Sequence, residues 1–458
     1  MKGKNDHYWL KSGFLNVFQN IYGVLFGFGG FFFLIRIYPD PAKYGVWILF
    51  GATTTIFEMI RSGLIQNALI KFLSSSEKSE HDNILSASFT MSGVLTLACI
   101  IVNLCVCNYL ANSWHSPEVV QMFYIYSIVY IFSGILSQFH WIEQANFRFQ
   151  GVVITNFIRQ GLFFVFTLFA FLTKYTPPLI YLVYVQAASA LISVIIEYGF
   201  IRKLLTFSYT LSWNWVKKLF NYGKYAFGTS ISSSLSTTVD QMMLGGILKP
   251  SEAGKFNVAV RIMNLADIPT NAIATIVFPQ SAKRMETDGE DAIRYLYEKS
   301  VGTILALLLP ALLFLFFFTD FVVDIIAGSN RYAETASILK VTVIYCVLIP
   351  FGRQFGTILD SIGKPKLTFV LVVLTAALNL SLNYLLIKKI GLMGAPYATL
   401  ISNVIGFAVA QIILYRMLKT NPLHPFIYAV RFYPEFYHKY VKPIFTRKNN
   451  GEQLKDSI

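Results

Sequence analysis

Eight ionisable side chains are the clear cases inside long apolar runs of this sequence: Glu58, Arg61, Arg159, Asp240, Arg261, Asp267, Lys340 and Arg353. A charge at hydrocarbon depth costs at least ~2.5–3.5 kcal/mol on insertion scales, so such a residue meets a partner, a water-filled cavity or a ligand. Five of the eight are bases and three are acids, a balance that points to an anionic ligand. Arginine suits that task because its planar fork donates two parallel hydrogen bonds to one oxyanion. Arg61, Arg159, Arg261 and Arg353 are the candidates. Glu58 and Arg61 are spaced i,i+3 and can instead neutralise each other on one helix face, whereas Arg261 has no acid three or four residues away. Asp240 and Glu58 could take up Na⁺ or H⁺; Asp240 could equally hold the turn that follows its helix. The amides Asn16, Gln19 and Asn20, and Asn379 with Asn383 at i,i+4, can bond ligand hydroxyls, although helix-to-helix bonding is their commoner use. Binding is all these residues can do. Six scattered histidines show no metal spacing, and Cys99, Cys105, Cys107 and Cys346 contain no CxxC pair and read as packing residues. No metal or cofactor is expected.

The elements that hold these charges follow from composition. Of 458 residues, 55% are hydrophobic, 16% aromatic and 14% charged, where a soluble domain carries about 25% charged residues. Mean hydropathy is +0.54. Such a chain cannot clothe a water-facing surface, which excludes a soluble enzyme and an intrinsically disordered chain. The fold class expected is an all-α polytopic membrane protein. Apolar windows bounded by polar residues, Pro or Gly give twelve spans, near 12–37, 44–73, 84–111, 119–142, 151–173, 179–201, 225–248, 255–281, 300–327, 334–362, 367–387 and 392–418. Window 334–362 is interrupted by Pro350, Gly352 and Arg353 and is read as one span. With the N-terminus in the cytoplasm, 25 of the 38 Lys and Arg residues fall on that side, 8 on the other and 5 inside spans. This is the positive-inside pattern, and it places both termini in the cytoplasm. It also accounts for the net charge of +14 without nucleic acid.

The longest loop, 202–224, lies near the middle of the chain and mixes aromatics with Lys, as an interfacial amphipathic segment does. The expected organisation is two six-helix lobes, 1–201 and 225–420, around a central cavity. Residues 202–224 join them, and a cytoplasmic tail, 421–458, is amphipathic and then disordered from Arg447 on. A weak internal echo supports two related halves: Pro41-Ala-Lys-Tyr-Gly45 after the first helix, Pro250-Ser-Glu-Ala-Gly254 after the seventh.

Four stretches carry a family resemblance. Asp240-Gln-Met-Met-Leu-Gly245, with Glu252-Ala-Gly254-Lys-Phe and Arg261, resembles the helix 7–8 signature of bacterial polysaccharide flippases, the O-antigen and capsule-type exporters of the multidrug/oligosaccharidyl-lipid/polysaccharide exporter superfamily. Tyr44-Gly45-Val-Trp47 through Arg61-Ser-Gly63-Leu-Ile-Gln66-Asn67-Ala68 is similar to that family's helix 2, and Gln144-Ala-Asn-Phe-Arg148 to its helix 4–5 loop. Gly363-Lys-Pro365-Lys, Asn379, Asn383 and Gly391-Leu-Met-Gly394-Ala395-Pro-Tyr-Ala398-Thr resemble its last three helices. The resemblance implies a monomer in the bacterial cytoplasmic (inner) membrane, surrounded by membrane lipids. It implies translocation of undecaprenyl-diphosphate-linked oligosaccharide to the outer leaflet by alternating access, with no covalent chemistry. Arg261 and Arg61 would then hold the diphosphate, with Arg159 and Arg353 as further cations, while Asn20, Asn379 and Asn383 touch sugar. Two alternatives stand beside it. A cation-coupled multidrug exporter of the same superfamily shares the helix count. A membrane polysaccharide polymerase or ligase shares the hydrophobicity but needs a large outer loop, and none is present in this topology.

Overall fold

The computed structural model describes Lys2–Val441 except Phe207, Tyr209 and Thr210; the side chains of residues 2–17, 20, 225, 226, 228–237, 440 and 441 lie outside the description. Regular structure among the described residues is helical throughout. The chain is an all-α polytopic membrane protein. Among the described residues eight stretches are long and apolar enough to cross a membrane, and Pro41–Ser75, Glu334–Ser361 and Pro365–Leu418 each contain two successive α-helices. Twelve crossings are not established by these stretches.

The helices follow the expected windows closely, and a proline or a close backbone approach stands at most of the breaks. α1 (Lys2–Ile37) leads to α2 (Pro41–Gly63), whose start is fixed by Pro41 in its first turn and by the Asp40 carboxylate accepting from Ala42 N at 3.1 Å. α3 (Gln66–Ser75), α4 (His81–Ser113), α5 (Glu118–Ala145), α6 (Gln150–Leu172) and α7 (Leu179–Ile201) follow. Four windows read as single spans are divided, 300–327 among them, at Phe318. Window 44–73 breaks at Leu64–Ile65, where Gly223 presses so closely that an added Cβ would sit 1.8 Å from Leu64 O. Window 255–281 becomes α9 (Pro250–Met263), a 3₁₀ turn and α10 (Asp267–Thr287), because Pro269 cannot donate to the carbonyl four residues earlier. Pro350 likewise splits 334–362 into α13 (Glu334–Cys346) and α14 (Ile349–Ser361), reached through α11 (Gly289–Phe317) and α12 (Thr319–Ala327). α15 (Pro365–Ile390), α16 (Gly394–Leu418) and α17 (His424–Phe436) complete the chain.

The joint expected over 202–224 is helical in its second half, since α8 runs Trp213–Ile247. Its first turns are not a free interfacial segment. Trp215 and Leu219 are 5% and 0% exposed and pack with Leu69, Ile84 and Trp141. The tail is anchored too. α17 lies against α11, where Gly302 admits Tyr428 and Pro425, Tyr433 OH donates to Ala306 O at 2.6 Å, and His424 Nδ1 lies 2.8 Å from Glu298 Oε2. The stretch expected to be disordered from Arg447 lies outside the described residues.

By contact the chain divides into two compact units, Met1–Asn257 with Asp324–Tyr332, and Val258–Val323 with Ala333–Ile458. The first is built on α1–α8 and the start of α9. The segment 324–332 joins it because Arg36, at the end of α1, donates to the terminal carbonyls of α12 at Ile325 and Ile326, and Gly328 leaves the helix at φ +63°. Its polar residues face inward: Ser88 Oγ donates to Gln138 Oε1 at 2.8 Å, both buried, while Leu97, Ile101, Val165, Phe169 and Ile195 are exposed. That inversion suits a hydrocarbon solvent. The second unit closes on Ile293, Tyr297, Phe351, Phe355, Ile358 and Leu414.

Candidate functional site

In the first unit the charged residues of α2 turn to α5 rather than to each other. Arg61 is 2% exposed; Nη1 donates to Tyr130 O at 2.8 Å and Nη2 to Ser137 Oγ at 3.4 Å. Gly134 makes the room, since an added Cβ there would stand 3.1 Å from Nη1. Glu58 accepts from Tyr126 OH at 3.3 Å. Glu58 stays in the electrostatic field of Arg61, but the contacts within reach are cross-helix ones, and Arg61 is enclosed by protein in this arrangement. Arg159 is half-buried on α6, within electrostatic reach of Tyr126 and His140, and has no hydrogen bond or ion pair among the described residues.

Asp240, 4% exposed on α8, is engaged within the protein. Its neighbour Gln241 belongs to a buried relay that spacing did not reveal. Tyr44 OH donates to Asn257 Oδ1 at 2.8 Å, and Asn257 Nδ2 donates to Gln241 Oε1 at 3.0 Å, tying α2, α9 and α8 together. The relay lies beside a glycine crossing. A Cβ on Gly45 would fall 1.8 Å from Pro250 O, and one on Gly254 would fall 2.6 Å from Pro41 O. The two Pro-x₃-Gly segments that echo each other in sequence therefore touch each other in space.

In the second unit Arg261 is exposed at the last turn of α9, with no hydrogen bond or ion pair among the described residues. Arg353, on α14, donates to Asn271 Oδ1 of α10 and lies in the field of Asp267. Lys340 pairs with Asp320 at 3.4 Å. The amides expected to meet sugar are occupied: Asn379 Nδ2 donates to Thr399 Oγ1 of α16 at 3.2 Å, and Asn383, fully buried, donates to Asn379 O and Oδ1, both at 3.0 Å. Asn20 lies outside the residues whose side chains are described.

One cluster was missed altogether. Glu143 of α5 and Glu197 of α7 are 2% and 0% exposed, and His140 and Thr155 complete the group. Glu197 sits inside the window 179–201, so the signal was present in the sequence; Glu143 falls one residue beyond its window. Counting both brings the acids level with the bases, and the excess that pointed to an anion disappears. The argument for an anion then rests on particular cations, Arg261 above all. Among the described residues no three His, Cys, Asp or Glu side chains converge as metal ligands.

The family model described as "Polysaccharide biosynthesis protein" matches residues 34–337, more than half of the chain. The chain belongs to that family. A curated relative, "Probable low-salt glycan biosynthesis flippase Agl15" of Haloferax volcanii, is 27% identical over 186 residues, which span 41% of this chain and only 39% of that protein. Two solved structures share the fold. An inward-facing multidrug resistance MATE family transporter of the MOP superfamily is 17% identical at a TM-score of 0.72, covering 87% of this chain and 96% of its own. The lipid II flippase MurJ, in an inward closed conformation, is 18% identical at 0.69, covering 92% and 93%. At these identities the likeness speaks for the family's architecture and not for its cargo.

Proposed function

We propose that the chain is a flippase that carries a lipid-linked oligosaccharide across its membrane, without covalent chemistry. Membership of a polysaccharide biosynthesis family supports the cargo class, and the flippase names of the Haloferax relative and of MurJ support the process. The finer reading is a cargo joined to undecaprenyl or a similar polyprenyl through a diphosphate. It is moved by alternating access of two six-helix lobes, 1–201 and 225–420, with twelve crossings and both termini in the cytoplasm of a bacterial cell.

The observation that carries the diphosphate is Arg261. Its guanidinium is exposed and without a partner among the described residues of an apolar chain, where an uncompensated cation is costly unless water or an anion meets it. Its bidentate fork matches phosphate oxygens, and attraction across a low-dielectric site is less screened than in water. Arg159, likewise without a hydrogen-bond partner, is the second cation of this proposal. Arg61 and the Asn379–Asn383 pair serve as struts. Cargo binding drives the cycle only if the two access states bind it with different affinity. The test is flipping by Arg261→Ala and Arg261→Lys, normalised to protein in the membrane. The alanine variant should lose tenfold or more, since hydrogen bonds to charged groups contribute ~1.5–3 kcal/mol. Lysine should restore part of it. Normal flipping by Arg261→Ala overturns the site.

A further inference from the structure

The Glu143–Glu197 cluster has more acid than the structure can neutralise. Glu143 is spoken for: Oε1 accepts from Gly151 N at 3.0 Å and Oε2 from Val152 N at 2.8 Å, at the first turn of α6, where two backbone donors and the helix dipole favour a carboxylate. Glu197 lies flat on Gly151; an added Cβ there would be 2.7 Å from both of its oxygens. Oε2 accepts from Thr155 Oγ1 at 3.2 Å, but buried Oε1 has no donor among the described residues. Both carboxyl groups therefore meet at Gly151, Glu143 through its N–H and Glu197 over its Cα. Among the described residues no Lys or Arg pairs with either. The groups around them are His140 of α5, whose Nε2 lies 3.8 Å from Glu197 Oε2 and 2.8 Å from Thr155 Oγ1, Thr155 of α6, Ser193 of α7, and Tyr22 of α1, which donates to Val153 O; Arg159 of α6 lies in the field of His140.

Two adjacent carboxylates in a dry site cannot both stay charged. The missing donor for the pair is a proton, carried on Glu197 and directed at Glu143. We propose that Glu143 and Glu197 form a proton site, loaded and unloaded through Thr155 and His140, and that this proton is the ion exchanged during the flippase cycle. The coupling rests on the flippase reading; the site itself does not. Loading leaves α5, α6 and α7 closed over one net negative charge. Unloading leaves two like charges between three packed helices and drives them to admit water or His140. His140, 13% exposed, is the group placed to pass the proton outward.

Infrared spectroscopy of the purified protein tests the site. At neutral pH the wild type should show the carbonyl stretch of a buried protonated carboxyl, and Glu197→Gln, which keeps the shape and the contact with Thr155, should lose it. No such band, or one that persists in both Glu197→Gln and Glu143→Gln, overturns the site. Flipping in proteoliposomes tests the coupling. An imposed pH gradient should change the wild-type rate severalfold and leave the Glu197→Gln rate unmoved. A rate that follows a Na⁺ gradient and ignores pH overturns the coupling while the flippase reading stands. If the wild type flips nothing, that reading falls and the coupling with it, and the infrared band still decides the proton site.

Discussion

Arg61 and Arg261 are the same residue type in two different situations, and their variants should fail differently. Arg61 fills space against α5 and donates to Tyr130 O, so Arg61→Ala leaves a void and should cost about 2–4 kcal/mol of stability. The expected result is a lower melting temperature in detergent with flipping per folded molecule retained. Unchanged melting with lost flipping would return Arg61 to the cargo site. Gly151 gives a second test, because its Cβ would meet Glu197 atoms at 2.7–2.9 Å. Gly151→Ala should destabilise by about 1–3 kcal/mol, as overpacking does, and the Glu197→Gln background should not relieve it, since glutamine has the same shape. Relief by glutamine would mean that charge rather than space sets the cost. What the sequence displays at this scale is residue type and depth. Glu58 and Arg61 were legible as buried charges, but i,i+3 spacing describes one helix face. It cannot tell that Tyr126 and Tyr130 on another helix offer nearer partners.

Elements were read most reliably where a backbone rule applies. The window 179–201 coincides with α7, whereas α2 begins at Pro41, three residues before its window. The breaks before Pro269 and Pro350 were visible as prolines, yet the apolar runs continue through both and read as unbroken spans. The break at Leu64–Ile65 follows Gly63, and the close approach of Gly223, far away in the chain, was not legible. The crossing of α2 and α9 is the element most open to test. Pro250 O is backbone and cannot rotate aside for a Cβ on Gly45, so Gly45→Ala must part the two helices and break the Tyr44–Asn257–Gln241 relay. Hydrogen exchange at the amides of 250–257 should then quicken by tenfold or more relative to those of α7. Equal exchange in wild type and Gly45→Ala would show that the crossing is not a constraint.

For the whole molecule, composition alone announced a polytopic membrane protein, and the exposed aliphatic surface agrees with it. Orientation was argued from Lys and Arg placement, and it predicts that cysteines placed at Ser79 and Asn112, in a background lacking the four native cysteines, react from opposite sides of the membrane. Reaction from one side only would invert half of the topology. Cargo was legible only through family resemblance, because soft motifs of small and apolar residues specify helix packing and leave the ligand to a few cations. The direct measurement is flipping itself. Purified protein is placed in vesicles carrying a fluorescent polyprenyl-diphosphate oligosaccharide, and the pool open to a membrane-impermeant glycosidase is followed in time. Wild-type vesicles should expose the inner-leaflet pool progressively, and vesicles with Arg261→Ala should remain at the outer-leaflet share seen without protein. If the wild type exposes no more than protein-free vesicles do, the chain is not a flippase for this cargo.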